Sequence, residues 1–323
     1  MSNASRVQLI YKAETAFAES PAANPATKLV RFTQSSLVDK ILSVISEEIR
    51  SDRQRTDLAL VGYDASGDVT CEASYGLQAF EDWLEAALGG TWATNALKNG
   101  VTERSFLIEQ GHLDITKFIR YFGMTVGKFS LDITFQQIVK FTASFMGCPK
   151  PNTGAATATA DATIAGTTTP TAATGNPPMR AGDLIDFANV GGSNMELAGV
   201  KGRSLKLDIE NNLRRRDLVT QYNVDSFGYG VQEITGTIET YFNDRLILQQ
   251  FIDNGLFGIK FKMIDPVLVS ANSYVVTLPK LKLTDAPVPV PGVESDCYQT
   301  LTFRALLDTG VGYTMNVDRA VTT

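Results

Sequence analysis

The strongest regularity in the chain is alternation of apolar and polar residues. It runs through KFSLDITF (128–135), VKFTASF (139–145), RSLKLDIE (203–210), EITGTIETYF (233–242), SYVVTLPKLKL (273–283) and QTLTFRALL (299–307). A period of two places every second side chain on one face of a strand, so each segment predicts a strand with one buried and one free face. Two segments break the rule. In SYGLQAFEDWLEAALGG (74–90), Leu77, Phe80, Leu84, Ala87 and Leu88 recur at helical spacing, Glu81, Asp82 and Glu85 lie off that stripe, and Gly89 and Gly90 supply a stop. In NDRLILQQFIDNGL (243–256), Asn243 or Asp244 can cap the start, Ile247, Leu248, Phe251 and Ile252 form the stripe, and Gly255 ends it. The pattern predicts a mainly β protein: β-sandwich or barrel-like sheets, each with a flanking α-helix.

The pattern also repeats. RTDL (55–58) matches RRDL (215–218), with EIR (48–50) and DIE (208–210) at the same offset before them. Tyr75 and Tyr241 each precede a helical stretch, and Gly89 and Gly255 each end one, fourteen residues on in both cases. GKFSLDI (127–133) answers PKLKLTD (279–285), and IVKFTASFMG (138–147) answers YQTLTFRALLD (298–308). The order is kept while the spacing drifts, which predicts two tandem copies of one domain with loops of different length. Between them, residues 149–178 hold seventeen Thr and Ala in thirty positions and only Lys150 and Asp161 as charges. That composition predicts an exposed linker or loop with nothing to anchor a core. The expected organisation is an N-terminal arm (1–30), a first domain (31–148), the Thr/Ala segment (149–178) and a second domain (179–323).

Composition narrows the function. The 323 residues are 44% hydrophobic and 20% charged, ordinary for a globular chain, with a net charge of −6. A protein that grips nucleic acid carries a basic face, and an acidic surface repels phosphate. Three widely separated cysteines, Cys71, Cys148 and Cys297, give neither a disulfide framework nor metal-ligand spacing, and imply a reducing compartment. The first residues show no signal peptide, and no apolar run approaches the length of a membrane helix. His112 is the sole histidine and lies in a turn-like stretch, so a Ser-His-Asp or Cys-His scheme has one candidate base and no matching motif. GYG (228–230) and GG (191–192) read as turns rather than phosphate loops. Nothing argues for an enzyme, a cofactor or a metal.

Two charged stretches stand out. SEEIRSDRQRTDL (46–58) mixes signs, with Arg50, Asp52, Arg53, Arg55 and Asp57, and NLRRRDL (212–218) carries Arg214, Arg215, Arg216 and Asp217. Each is open to three readings: a solvated loop, a nucleic-acid contact or an ion-paired contact between subunits. Acids flank both, which favours the last, because Arg pairs bidentately with carboxylates. APVPVPGVESD (286–296) predicts a stiff extended connection.

KLVRFTQSSL leading into SEEIRSDRQRTDL, SYG with its helix, DITKFIRYFGMTVGKFSLDI, KFTASFMG and the PVPG…YQTLTFRALLD ending together resemble the tail tube (major tail) proteins of long-tailed bacteriophages. The resemblance covers roughly residues 5–148 and 195–319. It implies a β-sheet building block of rings that stack into a tube conducting DNA from the virion to the host. A duplicated chain would close a ring with three copies, hexameric rings being the alternative. It further implies assembly in the bacterial host cytoplasm and contacts with other tail proteins (tape measure, tail terminator, baseplate or tip). DNA would pass without specific binding, and no membrane would be involved. Candidates for acids facing the lumen, taken from the alternating strands, are Asp132, Asp208, Glu210, Glu233 and Glu239. The rival reading is a two-domain β-sandwich binding module of lectin or adhesin type, for which Trp83 and Trp92 are the only tryptophans.

Overall fold

A computed structural model describes residues 2–52, 54–188, 202–242, 245–266, 272–290, 292–293 and 296–320. In chain order the first half contributes β1 (Val7–Ala13), β2 (Lys28–Val30), β3 (Phe32–Ser35), β4 (Val38–Ile45), β5 (Leu58–Glu72), α1 (Gln78–Leu88), β6 (Ala96–Lys98), β7 (Phe106–His112), β8 (Lys117–Thr134) and β9 (Lys140–Cys148). Next come β10 (Thr159–Ala160) and β11 (Leu184–Ala188). The second half follows with β12 (Gly202–Glu210), β13 (Arg214–Asp217), β14 (Val224–Gly228), β15 (Glu233–Tyr241), α2 (Leu246–Ile252), β16 (Phe257–Ile264), β17 (Ser273–Asp285), β18 (Tyr298–Ala305) and β19 (Asn316–Ala320). The protein is mainly β, as the alternation predicts.

Each half has the same strand order. Antiparallel pairing runs β3/β4–β5–β9–β8–β7 in the first half and β12–β15–β18–β17–β16 in the second. α1 falls between β5 and β7, and α2 between β15 and β16. The halves do not stand apart. β12 pairs with the second part of β8, Leu207 opposite Leu131, so the two strand sets form one continuous sheet. β19 returns to the first half and pairs with β6.

The core is likewise shared. Phe80 and Leu84 of α1 line the same interior gap as Phe129, Leu207, Ile209, Met263, Val276 and Met315. Trp83 is fully buried and packs edge-on against Phe145 at 5.1 Å between ring centroids. It belongs to the α1 stripe alongside the predicted Phe80, Leu84, Ala87 and Leu88. Gly89 ends the helix in the left-handed region (φ 62°), as the Gly-Gly pair predicts. α2 is shorter than its pattern suggests: Ile247 and Phe251 pack against the core, while Ile252 is exposed. The caps expected at Asn243 or Asp244 lie outside the described residues.

Two of the expected segments are tied into the sheet. In the N-terminal arm, β1 lies in register with β7 over its whole length, and Leu9, Ile10 and Tyr11 are buried. The Thr/Ala segment is a long connection that is anchored as well. β10 pairs with β8, and Ala165 is fully buried. Beneath the segment sits an ion pair: Arg120 Nε donates to Glu109 Oε2 at 2.8 Å, with side chains 10% and 1% exposed. The segment completes its hydrogen bonding. Arg120 donates to the Ala162 carbonyl, while Glu109 accepts from the Thr163 hydroxyl and the Ile164 amide. Backbone and hydroxyl groups of this segment supply the hydrogen bonds that a buried charge pair requires.

Candidate functional site

The continuous sheet has two faces of opposite character. Following hydrogen-bond register across it, one row of opposed residues reads Phe32, Cys71, Phe141, Leu131, Leu207, Gly236, Phe303 and Leu283, from β3 to β17. These residues turn toward the core. Only an unsubstituted Gly236 fits there, since a Cβ would come within 2.3 Å of the Phe303 ring. The neighbouring row reads Gln34, Thr70, Thr142, Ser130, Asp208, Thr235, Arg304 and Lys282 and lies on the opposite, polar face. Both rows start on β3 and end on β17. Among the described residues, β3 pairs with β5 alone, and beyond Leu281 β17 pairs with β18 alone. The sheet therefore stops at two open edges, a feature that soluble proteins cover or pair.

All five predicted acids fall on the polar face, but not as an acidic field. Asp132 stands in register between Lys140 and Lys206. Asp208 accepts from the Ser130 hydroxyl and has Lys128 at 3.6 Å and Lys206 at 3.9 Å. Glu233 pairs with Arg304 at 3.2 Å and Glu239 with Arg203 at 3.8 Å, while Glu210 stands opposite Lys128. The face carries interleaved signs. Asp208, Glu233 and Glu239 are ion-paired, while Asp132 and Glu210 stand opposite lysines across the strands.

The first charged stretch is a hairpin tip and the second is a strand. Residues 46–57 join β4 to β5: Arg50 forks onto Asp52 at 3.2 and 3.1 Å, Arg55 donates to the Ser46 carbonyl, and the Asp57 carboxylate accepts from the Leu58 amide. The Arg50 hydrogen bonds hold the Asp52 carboxyl below its ordinary range. Arg53 lies outside the described residues. In the second half, Arg214, Arg215, Arg216 and Asp217 form β13, opposite β14. The echo of RTDL in RRDL is thus not positional: Arg55 and Asp57 enter a returning strand, whereas Arg214–Asp217 is an outgoing one. Arg215 is engaged within the chain, pairing with Asp217 at 3.0 Å and reaching Asp64 of β5 at 3.2 Å. Arg214 and Arg216 are exposed, and Arg214 donates to the Tyr229 carbonyl at 3.4 Å.

β13–β14 folds back onto the first half. Val224 and Phe227 form a second small core with Ala18, Leu107, Phe122 and Cys148, and Tyr222 meets Tyr63 edge-on at 6.3 Å. β4 and the start of β5 protrude at the corresponding place in the first half, but uncovered. Ile41 is 69% exposed, Ile45 52% and Leu58 61%, on one face; Leu42 and Val44 are exposed on the other. Sequence reasoning missed this ribbon. Its signal was VDKILSVI, an apolar run with no polar face, beside a charge cluster that drew the attention.

Among the described residues no group of three or more His, Cys, Asp or Glu could hold a metal, and no helix is long and apolar enough to cross a membrane. His112 ends β7, hydrogen-bonded to the Ser2 hydroxyl at 2.8 Å and to the Gln110 amide. Burial pushes the Cys148 thiol up to about 12, the state of an inert thiol rather than a nucleophile.

A two-faced sheet with open edges and an exposed apolar ribbon suit a structural protein. The family model described as "Phage tail tube protein" matches residues 4–305, nearly the whole chain, and the chain belongs to that family. No curated protein matches it.

Proposed function

We propose that the protein is the repeating subunit of a phage tail tube, self-assembling into rings that stack around a channel for DNA. The observation that carries this reading is the junction of β8 with β12, where one strand set hands the sheet to a second of the same order. The shared strand order supports an internal duplication, with units at 31–148 and 179–323. A contact made once inside the chain can be made again between chains. Because its two edges differ, such a contact is heterologous and generates rings or open helical stacks. Two units per chain favour a ring of three copies, with six as the alternative.

The polar face then lines the channel, with Asp132, Asp208, Glu210, Glu233 and Glu239 interleaved among lysines and arginines. A mixed-sign wall holds phosphate nowhere tightly and releases few counterions on contact, so DNA slides rather than binds. Arg50, Asp52, Arg55 and Asp57 sit on one hairpin tip, suited to contacts between rings or with other tail proteins (tape measure, terminator, baseplate or tip), and Arg53 of the same stretch is assigned that role with them. Among Arg214, Arg216 and Asp217 the same role is open, while Arg215 serves the chain internally. Assembly takes place in the bacterial host cytoplasm and ends in the virion tail. The lectin-like alternative loses its aromatic platform, since Trp83 is fully buried and Trp92 lies under the Arg319 guanidinium at 4.3 Å.

Negative-stain microscopy and native mass measurement of the purified chain test the reading. Rings or tubes with a mass in multiples of three chains are expected. A protein that stays monomeric at high concentration overturns it.

A further inference from the structure

We infer that Asn254, in the turn after α2, is a site of spontaneous covalent modification. It loses its side-chain amide to become an aspartyl or isoaspartyl residue, while the fold holds the chain's other Asn-Gly pair, Asn99 with Gly100, unreactive.

The sequence has two Asn-Gly pairs, at 99–100 and 254–255. Their shared chemistry is ring closure. The backbone nitrogen of the glycine gives its proton to hydroxide and attacks the side-chain carbonyl carbon of the asparagine. A new C–N bond forms, the bond to the side-chain nitrogen breaks, and ammonia leaves with a proton taken from water. Water then opens the resulting succinimide at either carbonyl, which leaves an aspartyl or an isoaspartyl linkage. Glycine favours the step because no Cβ hinders the approach of its nitrogen. Asparagine is accordingly a thermolabile residue. Two conditions must be met: the carboxamide must be free to turn onto the next nitrogen, and that nitrogen must be free to give up its proton.

Asn99 meets neither condition. Its side-chain oxygen accepts from the Thr314 amide at 3.2 Å and the Met315 amide at 2.7 Å, and its side-chain nitrogen donates to Gln232. The Gly100 amide donates to the Leu88 carbonyl at 3.0 Å. Asn254 meets both. It is exposed and lies between α2 and β16. Among the described residues, no hydrogen bond holds its carboxamide or the Gly255 amide.

The change falls where α2 stops. Asn254 holds the left-handed conformation (φ 52°), and its backbone amide donates to the Phe251 carbonyl at 3.1 Å. Asparagine tolerates that conformation better than most residues. The modified residue puts a carboxylate next to Asp253, at the negative end of the helix, where a further negative charge is unfavourable. An isoaspartyl linkage also adds a backbone carbon to the turn. Both effects weaken the last turn of α2, which carries Phe251 onto the core.

The test follows the purified full chain over days in mildly acidic and mildly alkaline buffer, with tryptic peptides read by mass spectrometry against a zero-time sample and isoaspartyl residues read by enzymatic methyl transfer. In the folded chain, the peptide with position 254 is expected to accumulate the deamidated form, faster in alkali, while the peptide with position 99 stays at its zero-time level. In a urea-unfolded sample, both positions should convert at similar rates. Gly255→Ala should slow conversion at 254 several-fold. Position 99 keeping pace with 254 in the folded chain, or 254 staying intact there while it converts in urea, overturns the inference. An unchanged rate in Gly255→Ala overturns the ring-closure route.

Discussion

At the scale of single residues, the most informative groups are charges in places that water reaches poorly. Asp39, on the ribbon strand β4, has a carboxylate oxygen buried without a hydrogen-bond partner. Desolvation raises its pKa from 3.8 to about 6. A carboxyl raised in the folded state binds its proton more tightly there than in the unfolded chain. Its contribution is therefore favourable at low pH and is lost as pH rises from about 4 through about 6. Asp39→Asn is accordingly expected to raise Tm at pH 7.5 and to change it little at pH 4, as differential scanning calorimetry of the monomer would register. Equal shifts at both pH values would refute the desolvation argument.

At the scale of elements, the Thr/Ala segment and the hairpins carry the lesson that a segment's role depends on what lies beneath it. The segment over 158–165 closes the ion pair of Arg120 with Glu109. Removing one member of such a buried pair strands the other charge, at about 3–5 kcal/mol. Glu109→Gln should lower stability by that order in urea unfolding and should expose the segment to limited proteolysis. If the cut sites and unfolding midpoint stay put, the segment is held by something else. The hairpins make the complementary point. β13–β14 and β4–β5 occupy like places in the strand order, but one has Val224 and Phe227 packed and the other has its apolar residues in solvent.

At the scale of the whole molecule, the two strand sets share one sheet, one core and the return of β19 to β6. Leu207 and Met263 line one interior gap with Phe80 and Leu84 of α1 and with Phe129 and Leu131 of β8. Unfolding should thus be a single cooperative transition with matching calorimetric and van't Hoff enthalpies. The fragment 179–323 expressed alone should lack a sharp transition. Two resolved transitions, or a well-folded fragment, would show that the halves are independent domains.

Much of this was legible in one dimension. The period of two marked the second part of β8, β9, β12, β15, β17 and β18 as strands, the period near 3.6 marked α1, and the Gly-Gly stop placed its end, because these features depend only on which face of a local element is buried. The repeated order of motifs was legible for the same reason. What the chain's order could not carry was the matching of distant strands. Register between β3 and β5, or β8 and β12, is decided by long-range hydrogen bonds and packing, and a shift of one residue exchanges the faces. So RTDL and RRDL looked alike yet sit on different strands, and the acidic candidates acquired basic neighbours only when the strands were laid side by side. Arg215 likewise found Asp64 across 151 positions of sequence. By itself the sequence determined a β-rich chain with a repeated pattern and a helix at α1. Only the tertiary structure decided that its two halves share a sheet and leave open the two edges on which assembly can be built, because an edge exists only relative to the strands that fail to cover it.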